Sequence, residues 1–290
     1  MPITAEQRER RRSFVGSSDI AALLEMDPFQ NKHGVFMEKM YGTSDISSEA
    51  MEIGDMVEEP LVRWAAEEHG FAESLIFGPE TMVHENGIMA VNLDGLAPAE
   101  TMFEAKYTSV GEEWGDPGSD EVPDRVIAQC QFAMACVPTI RVAYVPAFIT
   151  RANRLTKAIY VVERNTELIE AIETIATDFM VNHVRCGRPP EDSPPPSWDT
   201  LKRIRRREDV EVHVADELVQ TWLDKKAERL HIEKGVKTEE SEAKNAVIAA
   251  MRDGTVGLCS MGKVVMTRVN KKAYSVDASS HWRTGFKEGE

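Results

Sequence analysis

Three residues in the middle of the chain have the types and the spacing of a hydrolytic metal site. Asp94 ends one predicted strand, and Glu104 and Lys106 stand two positions apart on the next. Because residues two apart on a strand point to the same face, the Glu104 carboxylate and the Lys106 ammonium should lie side by side. Asp94 is one hairpin-sized connection away. The spacing therefore predicts two carboxylates and one ammonium at a single point.

A hard divalent cation suits this group. Mg²⁺ prefers oxygen ligands at roughly 2.1 Å and retains water molecules, so Asp94, Glu104 and the backbone carbonyl of Ala105 would form its protein ligands, with Mn²⁺ as a possible substitute. A lysine beside the metal orients or deprotonates an attacking water and offsets phosphate charge. The pattern is typical of a metal-dependent phosphodiesterase, although an isolated match is more often a turn aspartate beside a surface Glu–Lys pair.

Two flanking helices offer further candidates. Glu58 lies in the helix before the strands and supplies another carboxylate, and Gln129 lies in the helix after them and supplies an amide that could hold the attacking water or the lysine. Taken singly, each is better explained as an ordinary solvated helix residue. Glu58 and Gln129 would belong to the site only if the fold brings them close to Asp94 and Glu104.

Hydrophobic periodicity and turn residues predict the elements that position these side chains. A helix begins at Ser17 or Ser18 and ends at Asp27-Pro28, and another ends at Gly70. Short strands follow, with a hairpin turn at Asn86-Gly87. The helix that ends at Gly70 covers about 50–69. The remaining elements are helices over about 126–137, 166–183, 215–233 and 239–251, strands over 141–149 and 155–162, and a hairpin turning at 260–263.

Composition bounds the class of protein. The chain has 290 residues, 42% of them hydrophobic and 29% charged, which is typical of a globular protein. No apolar run approaches the roughly 20 residues that span a bilayer, and no secretory signal begins the sequence, so we expect no membrane association. Four cysteines without CxxC pairs argue against a disulfide scaffold and a compact zinc module. A reducing, cytoplasmic location is the expectation.

The charge balance leaves nucleic-acid binding open. Thirty-four Lys and Arg against 49 Asp and Glu give a net charge of −15, which normally argues against DNA binding because phosphate neutralisation needs cations. The basic residues are clustered, however, at positions 8–12 and 202–207. An acidic exterior with a locally basic channel is compatible with DNA.

Five short motifs in order carry a family resemblance. GSSDIAALL, GxxxE, NLDG, FEAK and IAQCQ resemble the phage lambda exonuclease-like nucleases, the YqaJ-type viral recombinases of the PD-(D/E)XK superfamily, over about residues 10–190. The resemblance implies that Asp94, Glu104 and the Ala105 carbonyl bind the metal. It also implies that Lys106 is the catalytic lysine and Gln129 the active-site glutamine.

The resemblance leaves one glutamate ambiguous and adds a phosphate site. Glu58 keeps the family's offset from the preceding glycine, whereas Glu59 precedes a proline as the family's glutamate often does; we prefer Glu58. Arg11 and Ser18 fall where the family grips a terminal 5′-phosphate, and Arg10 or Arg12 would replace Arg11 if the register shifts by one. Related iron–sulfur nucleases place a cysteine before the strands, and no cysteine precedes Cys130 here, so we expect no iron–sulfur cluster.

These observations define an expected fold and function. The fold is α/β with a PD-(D/E)XK restriction-endonuclease-like core, in which a central mixed sheet of about five strands is flanked by helices. Residues 1–190 form the nuclease core, 191–200 a Pro-rich linker or an extended strap, and 201–290 a C-terminal helical and hairpin appendage. The expected function is a Mg²⁺-dependent, processive 5′→3′ exonuclease on double-stranded DNA ends that produces 3′ tails for recombination.

The resemblance also implies a ring-shaped homo-oligomer, with a trimer as the expected size, and a single-strand annealing protein as partner. The rival functions are an endonuclease on the same core, a non-catalytic DNA-end-binding protein, and an acidic interaction protein in which the Asp94, Glu104 and Lys106 pattern is accidental.

Overall fold

The computed structural model describes residues 9–43, 49–109, 111–151, 154–205, 211, 214–250, 256–259 and 262–265. Contacts divide the chain into one unit of residues 1–206 and a second of residues 207–290. None of the helices in these ranges is long and apolar enough to cross a membrane.

A mixed sheet forms the centre of the first unit. Its strands, in chain order, are β2 (Ile76–Phe77), β5 (Gly95–Ala97), β6 (Thr101–Phe103), β7 (Lys106–Thr108), β8 (Val142–Arg151) and β9 (Arg154–Glu163). β5 pairs antiparallel with β2 and β6, β8 pairs parallel with both β6 and β7, and β9 pairs antiparallel with β8. Because β6 and β7 follow the same register on β8, they are two halves of one interrupted strand. When β6 and β7 are counted as one strand, the sheet has five strands, the number expected from the sequence.

A smaller sheet lies beside it. Strands β1 (Val15–Gly16) and β3 (Met82–Val83) flank β4 (Met89–Val91), in the order β1-β4-β3, with β1 parallel and β3 antiparallel to β4. The β3–β4 hairpin turns at Gly87, whose φ of 65° favours glycine, so the turn predicted at Asn86-Gly87 is confirmed.

Helices cover both faces of the central sheet. The helices of the first unit are α1 (Ser17–Leu23), α2 (Lys32–Tyr41), α3 (Glu49–Glu68), α4 (Asp124–Cys136), α5 (Thr166–Asp178), which continues as a π-helix over Phe179–Val184, and α6 (Trp198–Leu201). Val62 and Ala65 of α3 pack with Phe103 on one face. Met102, the neighbouring residue in β6, packs with α4 and α5 on the other. The alternation along β6 thus buries successive side chains in two different layers.

Of two helix ends predicted from the local sequence, one is confirmed and the other is wrong. Gly70, with φ of 77°, follows α3, and Phe71 N donates to Ala66 O at 2.7 Å, so the stop predicted there is confirmed. The predicted end of α1 at Asp27-Pro28 is wrong. The helix ends at Leu23 because Glu25 turns into the left-handed region, with φ of 60°, and Met26 N donates to Ala21 O.

Within the part that the structure describes, the second unit contains one helix where two were predicted, and it contains the predicted hairpin. One continuous helix, α7 (Asp216–Ala250), replaces the two predicted over 215–233 and 239–251, since Gly235 alone does not stop a helix. Strands β10 (Val256–Cys259) and β11 (Gly262–Val265) pair antiparallel as predicted.

Candidate active site

The interrupted strand carries the predicted catalytic residues, and a proline explains the interruption. Glu104 N still donates to Tyr144 O at 3.0 Å. The parallel pattern would next require an N–H at Pro146 to donate to the Glu104 carbonyl, and proline has none. The ladder therefore opens between β6 and β7. Ala105, whose backbone groups point away from β8, is left beside the end of β5.

Asp94 occupies this opening. Its Oδ2 accepts a hydrogen bond from Ala105 N at 2.8 Å. Since the N–H and C=O of one strand residue point to the same side, the Ala105 carbonyl is directed to the side of the strand on which Asp94 lies. The two carboxylates and the carbonyl expected as metal ligands thus come from adjoining positions on two paired strands.

Glu104 and Lys106 lie on one face, as their spacing predicts. Lys106 Nζ donates to Glu104 Oε1 at 2.6 Å, and the Glu104 side chain is only 10% exposed. Burial alone would lower the pKa of Lys106, but the Glu104 and Asp94 carboxylates outweigh it and raise the pKa above its ordinary value. The charged ammonium is therefore the stable form in this arrangement.

The same crowding that favours the charged form of Lys106 disfavours the charged form of Asp94. Burial raises the pKa of Asp94 well above its ordinary value, the Glu104 carboxylate raises it further, and Glu58 contributes in the same direction. Lys106 and the Ala105 N–H oppose this rise. A divalent cation bound beside Asp94 would stabilise the charged form of this carboxylate, which burial and the neighbouring carboxylates disfavour.

The donor set fits Mg²⁺ better than a soft metal. Within the described ranges, no three His, Cys, Asp or Glu side chains converge closely enough to hold a metal ion on their own. Two carboxylates and one backbone carbonyl, completed by water, are the oxygen ligands that Mg²⁺ accepts. The residues present therefore fit the cation that the sequence predicts.

The structure separates the two candidate glutamates of α3. Glu58 lines the same cleft as Asp94, Glu104 and Lys106. Glu59 instead pairs with Arg63, with Oε1 2.6 Å from Nη2, and its side chain is 49% exposed. The preference for Glu58 therefore agrees with its position in the cleft.

Gln129 lies in α4, directly before Cys130. Its Oε1 is buried and has no hydrogen-bond partner among the described residues. It is not one of the residues that line the cleft. The adjacent Cys130 is fully buried, and its thiol pKa is raised by burial and by the Glu104 carboxylate. Nothing in the sequence indicated that Cys130 would lie near Glu104, Lys106 and Asp94, although it stands between two glutamines of the same motif.

The cleft, of about 710 Å³, extends from the catalytic cluster to a basic region. Arg11 Nη2 donates to Ser18 Oγ at 2.5 Å, so the two residues expected at a terminal phosphate are in contact. Arg12 instead donates to the Lys39 and Met40 carbonyls at the end of α2, which gives it a structural role. Of the arginines considered at this position, Arg11 is the one in contact with Ser18.

A buried ion pair supports this region. Lys39 Nζ contacts Asp19 Oδ2 at 2.5 Å, and both side chains are less than 10% exposed. Asp19 Oδ2 also accepts from Gly16 N, and Lys39 Nζ donates to Arg11 O. Burial would raise the pKa of Asp19, but Lys39 and Arg11 hold it below its ordinary value. The pair fixes the backbone on both sides of Ser18. Nothing in the sequence predicts this ion pair, because Lys39 is distant from Asp19 along the chain and belongs to no motif.

Gly95 is required where the strand bearing Asp94 meets α3. A Cβ at this position would lie 2.7 Å from Val62 Cγ1, 3.1 Å from Leu75 Cδ1 and 3.2 Å from Phe103 Cβ. Such approaches are too close for carbon atoms, so the glycine of the NLDG motif allows helix and sheet to pack next to Asp94.

We expect Gly95→Ala to lower the free energy of unfolding by about 1–3 kcal/mol, because the added methyl group overpacks this contact. Urea unfolding of the full chain measures the change. Gly54→Ala is the matched control. Gly54 lies within α3 with no atom within 4 Å of an added Cβ, so alanine should raise stability by about 0.5–1 kcal/mol. Equal stability of Gly95→Ala and the wild type would contradict the close packing.

Residues 7–140 match the model of the YqaJ-like viral recombinase domain. The fold is similar to that of an alkaline exonuclease, LHK-Exo, from Laribacter hongkongensis, with a TM-score of 0.51 and 19% identity over 63% of this chain and 94% of that chain. The structure of LHK-Exo in complex with dAMP gives 0.50 and 19% over the same shares. No curated protein matches the chain. The resemblance to YqaJ-type proteins and the predicted α/β core are confirmed.

Proposed function

We propose that the protein is a metal-dependent deoxyribonuclease, acting as a processive 5′→3′ exonuclease on double-stranded DNA ends. The observation that carries this proposal is the convergence of Asp94, Glu104 and Lys106 in a cleft that also contains the Arg11–Ser18 contact. The YqaJ-like match over residues 7–140 and the name of LHK-Exo support a nuclease.

In the proposed mechanism, Asp94, Glu104 and the Ala105 carbonyl would hold Mg²⁺. A cation bound there would supply Lewis-acid chemistry, polarising a phosphoryl oxygen and making water more acidic. Lys106, positioned against Glu104, orients the attacking water and stabilises negative charge that develops on the phosphate. Glu58 adds negative charge to the metal-binding side of the cleft. For Gln129, whose buried Oε1 has no hydrogen-bond partner among the described residues, we propose that this oxygen accepts a hydrogen bond from Lys106 or from the attacking water.

Arg11 and Ser18 would act at the other end of the substrate. A guanidinium and a hydroxyl that already contact each other form a preorganised site for phosphate oxygens, and arginine can bind phosphate with two parallel hydrogen bonds. Gripping a terminal 5′-phosphate there would set the position of the first scissile bond. In agreement with the family resemblance, we propose a ring-shaped homo-oligomer, with a trimer expected, that passes its 3′ tails to a single-strand annealing protein.

The decisive test uses linear duplexes labelled separately at each end, incubated with the purified protein and Mg²⁺ alongside closed circular DNA. We expect label at the 5′ ends to be released first, label at the 3′ ends to remain in long strands, and circles to stay intact. Cleavage of closed circles would instead establish the endonuclease alternative. Binding of DNA ends without cleavage in either Mg²⁺ or Mn²⁺ would favour the non-catalytic alternative, and neither binding nor cleavage would favour the interaction protein.

We further expect a duplex with a 5′-phosphate to be degraded about 10- to 150-fold faster than the 5′-hydroxyl duplex. This ratio of rates corresponds to the free energy of one charge-assisted hydrogen bond. Arg11→Ala should remove most of this preference and leave the slow 5′-hydroxyl reaction almost unchanged. Initial rates on both substrates measure it.

The exposed neighbour provides the control for that experiment, because Arg10→Ala removes the same charge and should preserve the preference. If Arg11→Ala slows both substrates equally, the arginine is a general backbone contact. Indifference of the wild-type enzyme to the end group would rule out the terminal-phosphate site.

A further inference from the structure

The segment after the π-helix contributes to the cleft. Residues 191–205, here called the strap, belong to the first unit. Lys32 Nζ contacts Asp192 Oδ2 at 2.8 Å, and Asn31 Nδ2 donates to Pro194 O at 2.9 Å. At the other end, Arg205 N donates to Gly42 O at 3.0 Å. These contacts hold the two ends of the strap, one near the start of α2 and the other just after its end.

Arg203 extends from the strap into the cleft. Its Nη2 donates to Gln30 Oε1 at 3.0 Å and lies 3.4 Å from Glu38 Oε1. Next to it, Ile204 is 3% exposed, which anchors the backbone. The Arg203 side chain itself is 31% exposed, so part of it remains accessible from the cleft. Arg203 lies outside residues 7–140, the part of the chain that matches the YqaJ-like domain.

Charges connect Arg203 to the proposed phosphate site. Glu38 is close enough to Asp19 for the Asp19 carboxylate to contribute, after burial, to raising the pKa of Glu38. Asp19 in turn interacts with Lys39 and Arg11. Burial and the Asp19 carboxylate together disfavour the charged form of Glu38, the carboxylate that faces Arg203. A phosphate oxygen would therefore compete effectively with Glu38 for the guanidinium.

We propose that Arg203 binds a backbone phosphate of the DNA at the Arg11–Ser18 end of the cleft, so that the strap completes the DNA-binding surface. This inference rests on the proposed function, because it takes DNA as the occupant of the cleft. Glu38 and Gln30 hold the guanidinium in place until the phosphate replaces Glu38 as its anionic partner. Glu38 and Gln30 are therefore positioning residues for Arg203.

The test measures binding of a 5′-phosphorylated duplex to the full chain in Ca²⁺ at several salt concentrations. Arg203→Ala should weaken binding about 10- to 100-fold, in the range of one charge-assisted contact. It should also reduce the slope of log Kd against log salt concentration by about one. Lys202→Ala is the matched control. Its ammonium pairs with Asp199 at 2.7 Å and does not line the cleft, so affinity and slope should stay near those of the wild type.

A double-mutant cycle distinguishes a phosphate contact from a structural anchor. Glu38→Gln should strengthen binding, because it removes the competitor for the guanidinium, and this gain should disappear when combined with Arg203→Ala. A gain that persists in the double mutant would overturn the proposal. So would an Arg203→Ala variant with a lower Tm but wild-type affinity and slope, since Arg203 would then only anchor the strap.

Arg203→Gln serves if the alanine variant does not fold, because glutamine can still hydrogen-bond within the network but carries no charge. Wild-type affinity and slope in a folded Arg203→Gln protein would also overturn the inference. A wild-type protein that neither binds nor cleaves DNA would overturn the proposed function together with this inference. A wild type that binds and cleaves, with Arg203 variants unchanged, would overturn this inference alone.

Discussion

Asp94→Asn and Glu104→Gln should each reduce the rate of DNA cleavage about a thousandfold or more while leaving the protein folded. Each substitution removes a ligand charge from the cluster at the interrupted strand, where Asp94 accepts from Ala105 N and Glu104 contacts Lys106. Loss of a metal ligand removes several kcal/mol of transition-state stabilisation, and about 4 kcal/mol corresponds to a factor of a thousand. Single-turnover cleavage of a linear duplex in Mg²⁺ measures the effect, and thermal unfolding verifies the fold.

The two glutamates of α3 provide the controls. Glu58→Gln changes a carboxylate that lines the cleft and should slow cleavage, whereas Glu59→Gln changes one that pairs with Arg63 on the surface and should leave the rate unchanged. Replacing Mg²⁺ by Ca²⁺ should permit DNA binding without turnover, because Ca²⁺ is larger and less strict in geometry. Wild-type rates in either Asp94→Asn or Glu104→Gln would disprove the metal assignment.

The sequence was sufficient to predict the centre of the site because strand periodicity acts over two residues. Glu104 and Lys106 had to share a face whatever the rest of the fold, and the short connection between β5 and β6 kept Asp94 close. The interruption between β6 and β7 was not predicted. It depends on Pro146, which is 40 or more residues distant and acts only because β8 pairs parallel with this strand.

The basic end of the cleft depends on still longer-range packing. The motif containing Ser18 led to the proposed phosphate site, but nothing local indicates that Lys39 would pair with Asp19 or that Arg203 would reach Glu38. These contacts follow from the docking of α2 and the strap. The structure thereby assigns a position to part of the basic cluster at 202–207, which the charge pattern alone could only describe as locally basic.

Lys106→Ala should slow the chemical step about a hundredfold or more while weakening DNA binding only slightly. General acid–base and electrostatic groups contribute factors of about 10²–10⁴ when they act in the transition state. Lys106 is held 2.6 Å from Glu104 Oε1, beside the expected metal ligands. The Lys106 charge is offset by the Glu104 and Asp94 carboxylates beside it, so we expect it to contribute little to DNA affinity. Single-turnover rates and the Kd in Ca²⁺ separate the two effects.

Two further lysine variants make this prediction specific. Lys106→Arg keeps the positive charge, but its planar guanidinium cannot replace a compact ammonium at the same point, so binding should be retained and the rate only partly restored. Lys157→Ala removes a lysine of the same sheet that lies over the Trp64 ring, 4.3 Å from its centroid and outside the cleft, and should change neither quantity. If Lys106→Ala instead lost binding and cleavage in equal proportion, Lys106 would be a phosphate anchor. The positioning of water would then fall to Gln129, whose buried amide oxygen has no protein partner in the described part of the chain.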